Sequence, residues 1–122
     1  MTTTYLCDFF GLSFNESVLD LAVKTNGDVY VITSAQPPRL LHVDPGTCAT
    51  TSVATSASNS TNGLTFTSND TLLAVTSSGS VLQLNVTTGA GSSVGSFGQN
   101  LGSSGDLVAL STGTIYAIAR DT

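Results

Sequence analysis

The stretch GDVYVITS, residues 27–34, recurs in altered spelling as DTLLAVTS at 70–77 and GTIYAIAR at 113–120, each 43 residues after the last. Leu21, Leu64 and Leu107 keep that step. So do Val29, Leu72 and Ile115, then Tyr30, Leu73 and Tyr116, then Ile32, Val75 and Ile118. Downstream, LLHVDPGTCATTSV (40–53) matches VLQLNVTTGAGSSV (81–94) at an offset of 41, because the Gln36-Pro37-Pro38 loop of the first copy is longer. Segments of fixed spacing joined by drifting loops are what tandem duplication of a folded unit produces.

Each unit divides into strand-like runs separated by turn signals. In the first unit these are Leu19–Lys24, Asp28–Thr33, Arg39–Asp44 and Ala49–Ala54, with Asn26-Gly27 and Asp44-Pro45-Gly46 as turns. The second repeats them at Gly63–Thr67, Thr71–Thr76, Val81–Asn85 and Ala90–Gly95. The third has only Asp106–Leu110 and Thr114–Ala119, and Thr2–Cys7 reads as a spare outer strand ahead of the first unit. The boundaries this implies are 1–17 for an outer strand and connection, 18–61 and 62–104 for two full units, and 105–122 for an incomplete third.

The polarity of the runs suggests how the units pack. The second run is apolar on both alternating sets, Val29 and Val31 against Tyr30 and Ile32, so both faces of its sheet need cover. The third alternates Leu41 and Val43 with His42 and Asp44, and the fourth is almost all Thr, Ser and Ala. Burial that declines from the first run to the last suits small sheets stacked radially, greasy near a hub and hydroxyl-clad at the rim. Gly27–Ile32, Leu40–Thr47, Val81–Gly89 and Gly105-Asp106-Leu107 leading into Ile115–Ile118 carry a motif that resembles the β-propeller repeat of the loose, non-WD kind found in bacterial surface, secreted and phage-encoded proteins. The resemblance implies an all-β, partial β-propeller-type tandem repeat: two four-stranded blades and a half blade. It implies no activity, since propellers host enzymes, lectins and scaffolds alike. Propeller rings use about 4–8 blades, so this chain is expected to be a segment of a longer propeller or to join other copies. The alternative is a compact three-fold β structure, a trefoil or prism, which expects one buried face per strand.

Composition narrows the partners. Three basic residues against eight acidic ones give a net charge of −5, which leaves no basic stripe for nucleic acid. No apolar run approaches the roughly 20 residues of a membrane-spanning helix, so no membrane insertion is expected. MTTTYLCDFFGL lacks the basic start and small-residue cleavage site of a signal peptide, which is read as a chain not exported by that route or one seen without its leader.

Several residues are candidates for chemistry. Register places Asp20, Gly63 with Asn62 before it, and Asp106 at the entrance to each first strand, where Asp20, Asn62 and Asp106 converge if those strands line a channel. Together they would offer oxygens to a cation such as Ca2+, or simply cap turns by accepting backbone N–H bonds. His42, the sole histidine, answers to Gln83 and is expected on a polar strand face, with no catalytic partner nearby in sequence. GSSGD (102–106) lacks the Lys of a phosphate loop and is read as a connection between units. Cys7 and Cys48 admit a disulfide, a link to another chain, or two buried thiols; their number and spacing are far from a zinc signature. Asn-x-Ser/Thr triplets at Asn15, Asn59, Asn69 and Asn85 arise easily by chance in so Ser/Thr-rich a chain.

The expectation is a non-enzymatic structural or binding module for assembly, display or adhesion, extracellular or on a virion surface. An unpaired edge at Thr114, Ile115, Tyr116, Ala117, Ile118 and Ala119 is expected to recruit its own kind or other structural subunits rather than leave a monomer. Two contrary classes stand beside it: a ligand- or cation-binding, even enzymatic, propeller segment with its site at the channel mouth, and a small lectin whose hydroxylated rim meets carbohydrate.

Overall fold

A computed structural model describes residues 1–5, 7, 8, 11–53, 57 and 60–122. Among them every regular element is a strand: β1 (Val18–Val23), β2 (Val29–Thr33), β3 (Leu40–Val43), β4 (Thr50–Val53), β5 (Thr61–Phe66), β6 (Leu72–Thr76), β7 (Ser80–Leu84), β8 (Gly91–Ser96), β9 (Leu101–Ala109) and β10 (Ile115–Asp121). They form two four-stranded antiparallel sheets of consecutive order, β1-β2-β3-β4 and β5-β6-β7-β8, and a two-stranded sheet, β9-β10. The fold is all-β and consistent with partial propeller-like blades.

The repeat extends to backbone detail. Tyr30 pairs with His42 in the first sheet as Leu73 pairs with Gln83 in the second. A bulge interrupts the first strand of each full unit at matching places, between Val18 and Asp20 and between Thr61 and Gly63. Asp44 and Asn85 close the same outer turn: each accepts two N–H bonds through its Oδ1, from Gly46 and Thr47 or from Thr87 and Thr88. Each turn then ends in a left-handed residue, Cys48 at φ 61° or Gly89 at φ 72°.

Three apolar layers alternate with the sheets. Between the first and second lie Ala22, Tyr30, Ile32 and Leu40 from one side and Leu64, Phe66, Leu72, Ala74 and Leu84 from the other. Between the second and third, Leu73 and Val75 meet Leu107. The remaining face of the first sheet, Val29, Val31, Leu41 and Val43, is covered by Cys7 and Leu12 of the amino-terminal segment. All five residues of β2 and of β6 are therefore buried. Tyr30 is 8% exposed and Val31 fully enclosed, as double-sided burial requires and a trefoil strand would not.

Three expectations need correction. Thr2–Tyr5 and Cys7 form no strand; this stretch is an irregular cover, and Leu6 lies outside the described residues. GSSGD is not a connection, because β9 starts at Leu101 and absorbs it: Ser103 pairs with Ala119 and Leu107 with Ala117, and the surplus residues form a bulge. Burial also does not simply fall along each unit. β1 is half open, with Leu21 and Val23 exposed, whereas β5, sandwiched between β1 and β9, is nearly all buried. The rim behaves as composition predicts: β8 is exposed at every residue and β4 carries Thr51 and Ser52 outward.

Candidate functional site

The first strands β1, β5 and β9 lie side by side at the hub. Asp20 and Asn62 lie in the first halves of β1 and β5, whereas Asp106 lies inside β9 and not at its entrance, because β9 already begins at Leu101; each is committed to backbone. Asp20 Oδ1 accepts the N–H of Leu21 at 2.8 Å, and its Oδ2 accepts that of Leu64 in the next sheet at 2.7 Å. Burial pushes the Asp20 carboxyl above the usual range, the two amide bonds oppose this, and the nearby charge of Asp106 adds to it. Asp106 Oδ1 accepts the N–H of Leu107 at 2.8 Å. Asn62 donates its Nδ2 to the Ser103 carbonyl at 3.1 Å and leaves its buried Oδ1 without a partner. Asp20 and Asn62 thus each bridge neighbouring sheets. Among the described residues there is no group of three or more His, Cys, Asp or Glu placed to hold a metal ion.

The three hub strands end at a depression of about 340 Å³ between Val23, Phe66, Ala109 and Leu110. Thr25 caps it from the first sheet by donating its N–H and hydroxyl to Asp70 of the second at 3.0 and 2.7 Å. Those two bonds hold the Asp70 carboxyl below its ordinary range. A further seam bond runs from the Ala109 N–H to the Thr65 hydroxyl at 3.1 Å.

The hub strands approach so closely that Gly63 has no room for a side chain. A Cβ there would lie 2.0 Å from the Gly105 carbonyl oxygen and 2.7 Å from the Val75 side chain.

The amino-terminal cover is fastened twice. Cys7 and Cys48 form a disulfide with Cα atoms 5.5 Å apart, joining the cover to the turn before β4. Glu16 meets Arg39 in a two-pronged ion pair, Nε to Oε1 at 2.8 Å and Nη2 to Oε2 at 2.5 Å. Arg39 Nη2 also donates to the Gly11 carbonyl, and Glu16 receives the Thr33 hydroxyl and the Ser13 N–H. The Arg39 bond, joined by those from Thr33 and Ser13, lowers the Glu16 carboxyl to about 2. Sequence reasoning passed over this pair, since Glu16 and Arg39 stand 23 residues apart in loops that carry no motif. The one signal was the scarcity of charge, which makes each basic residue worth tracing to a partner.

His42 is half-buried against Tyr30, ring centroids 4.9 Å apart, and its Nε2 lies 3.5 Å from Asp28. That contact is an ion-pair distance without hydrogen-bond geometry. Thr114 precedes β10, Ile115 through Ala119 lie in it, and all six are exposed, with β10 paired to β9 alone among the described residues. Among the Asn-x-Ser/Thr triplets, Asn59 lies outside the described residues. No model of a protein family matches this chain, and no curated protein does.

Proposed function

We propose that the chain is a non-enzymatic structural or binding module, a propeller-type repeat serving assembly, display or adhesion on a virion or cell surface. The observation that carries this reading is the bare outward face of the third sheet, where Val108, Tyr116 and Ile118 stand in water although their counterparts Ala22, Tyr30 and Ile32 are buried. Exposed apolar patches of this kind mark contact surfaces. The residues best equipped for chemistry support it from another side: Asp20, Glu16 and Arg39 direct their hydrogen bonds to holding segments together, and Asn62 does so through its Nδ2. The disulfide is compatible with an oxidising, extracellular setting, and no helix is long and apolar enough to cross a membrane.

Antibodies raised against the purified chain test the reading directly. Immunogold labelling of intact source cells or particles is expected to decorate their surface, and label confined to the interior would overturn display. A second reading is a cation site at the hub, where Asp106 keeps one carboxylate oxygen without a partner among the described residues. Calorimetric titration with Ca2+ separates the two: saturable binding lost in the Asp20→Ala, Asp106→Ala double variant supports the site. Saturable retention on a glycan array by a monomer would instead support a carbohydrate-binding role.

A further inference from the structure

We infer that this chain associates head to tail with a second copy of itself, the bare face of the third sheet receiving the half-open face of the first. The inference rests on the assembly reading above and names the partner.

The internal seam between the first two sheets supplies the template. There Tyr30, Ile32 and Ala22 present one kind of face, and Leu64, Phe66, Leu72 and Ala74 of the next unit present the other. Stepping the first kind forward by two repeats gives Val108, Tyr116 and Ile118. Val108 pairs directly with Tyr116, which puts both on one face, and the three are 48%, 59% and 61% exposed. Stepping the second kind back by one repeat gives Leu21, Val23, Val29 and Val31. Leu21 pairs with Val31 and Val23 with Val29, so these too share a face. The amino-terminal segment covers its β2 and β3 part but leaves Leu21 and Val23 at 52% and 54% exposure. One molecule thus carries both halves of a seam it already builds internally.

Two details of the third sheet match the first. Asp106 Oδ1 accepts the N–H of Leu107 just as Asp20 Oδ1 accepts that of Leu21, each at 2.8 Å. The second oxygen of Asp20 reaches across to the next unit, whereas that of Asp106 has no partner among the described residues. Beside it, a depression of about 190 Å³ is lined by Asp106, Val108, Tyr116 and Ile118, the repeat counterparts of Asp20, Ala22, Tyr30 and Ile32, which in the first sheet meet Leu64. The residue of a second copy that answers to Leu64 is Leu21. Because the two faces differ, the contact is heterologous, and repeating it builds rings or filaments rather than a two-fold dimer.

Sedimentation velocity of the intact, oxidised chain at micromolar concentration is expected to give species of at least twice the mass of one chain. A purely monomeric chain would overturn the inference, and if immunogold still marks the surface, the display reading survives that loss. Two double variants then test direction: Leu21→Glu with Val23→Glu spoils one face, and Tyr116→Glu with Ile118→Glu spoils the other. All four positions are exposed in the isolated chain, so folding should persist, as circular dichroism would confirm. Each variant alone is expected to be monomeric and their mixture to form a one-to-one heterodimer and nothing larger. Self-association of either variant alone, or a mixture that stays monomeric, would refute the head-to-tail contact. Should either variant unfold, amide hydrogen exchange of the wild-type chain decides: raising its concentration must protect both β1 and β10, and protection of neither or of only one would refute it.

Discussion

Asp20 and Leu64 join the first two sheets through a single bond, the Asp20 Oδ2 accepting the Leu64 N–H at 2.7 Å across the hub. Leu64 is 1% exposed, so its N–H depends on the carboxylate for a partner. Asp20→Ala is therefore expected to cost about 2 kcal/mol, the penalty of a buried unsatisfied N–H. Asp20→Asn keeps an acceptor and relieves the burial of charge, so its loss should be less than half as large. Urea denaturation of the two variants checks the order, and equal losses would show that the bond carries little.

Acid should weaken the second of the two fastenings of the amino-terminal cover, the Glu16–Arg39 pair, and leave the disulfide in place. Glu16 ordinarily titrates near 4.5 and is lowered to about 2 in the folded chain. A depressed carboxyl contributes stability that is complete above its unfolded value and is lost as pH falls through the folded one. The contribution therefore fades between about pH 4.5 and 2, while Asp20, whose carboxyl is raised, acts in the opposite sense and favours the folded state at the acid end of its own titration. Glu16→Gln should flatten the acid limb of a Tm-versus-pH profile. At neutral pH it should cost on the order of 2 kcal/mol, less than for a fully buried pair, because Arg39 keeps 31% of its side-chain surface in water.

The disulfide spans 41 residues, and constraining that loop in the unfolded chain stabilises the fold by roughly 4 kcal/mol on the chain-entropy argument. Reduction should lower the urea midpoint accordingly. A finer test uses the turn: Cys48 holds a φ of 61° that a side chain adopts only at a cost. With Cys7 replaced by Ala, Cys48→Gly is expected to be more stable than Cys48→Ala by about 1 kcal/mol. The reverse order would mean that the turn relaxes once the bond is gone.

Gly63→Ala should be among the most damaging of small substitutions. Its Cβ meets backbone rather than a yielding side chain, 2.0 Å from the Gly105 carbonyl oxygen. Separating β5 from β9 to admit it is expected to cost about 3 kcal/mol, the upper end of overpacking effects. Gly95→Ala is the control, since nothing lies within 4 Å of a Cβ there.

Much of this architecture could be read from the chain because period-two burial and a strict repeat are local signals. Tyr30 and Val31, apolar neighbours pointing opposite ways, announced a sheet covered on both sides. The offset of 41 aligns Cys48 with Gly89, and both residues are left-handed at the end of matching turns. What could not be read depends on contacts without periodicity. The amino-terminal segment looked like a strand because Thr2–Cys7 has strand composition, yet it is fixed by the disulfide and the nearby Glu16–Arg39 pair rather than by a ladder. GSSGD looked like a loop because its glycines and serines hide a long bulged strand, in which Ser103 is fully buried. At the hub the repeat put Asp20, Gly63 and Asp106 in register, but it could not say whether a side-chain oxygen there faced a void or a neighbouring amide, nor that β9 would begin well before Asp106.

The two seams use unlike chemistry. A carboxylate crosses from Asp20 at the first, while at the second Asn62 grips a carbonyl and Thr65 an amide, with a bare glycine allowing backbone to touch backbone. Near-identical modules are therefore keyed to their place in line: exchanging them would drive an aspartate into a gap only a hydrogen can occupy, so the chain encodes the order of its parts as well as their shape.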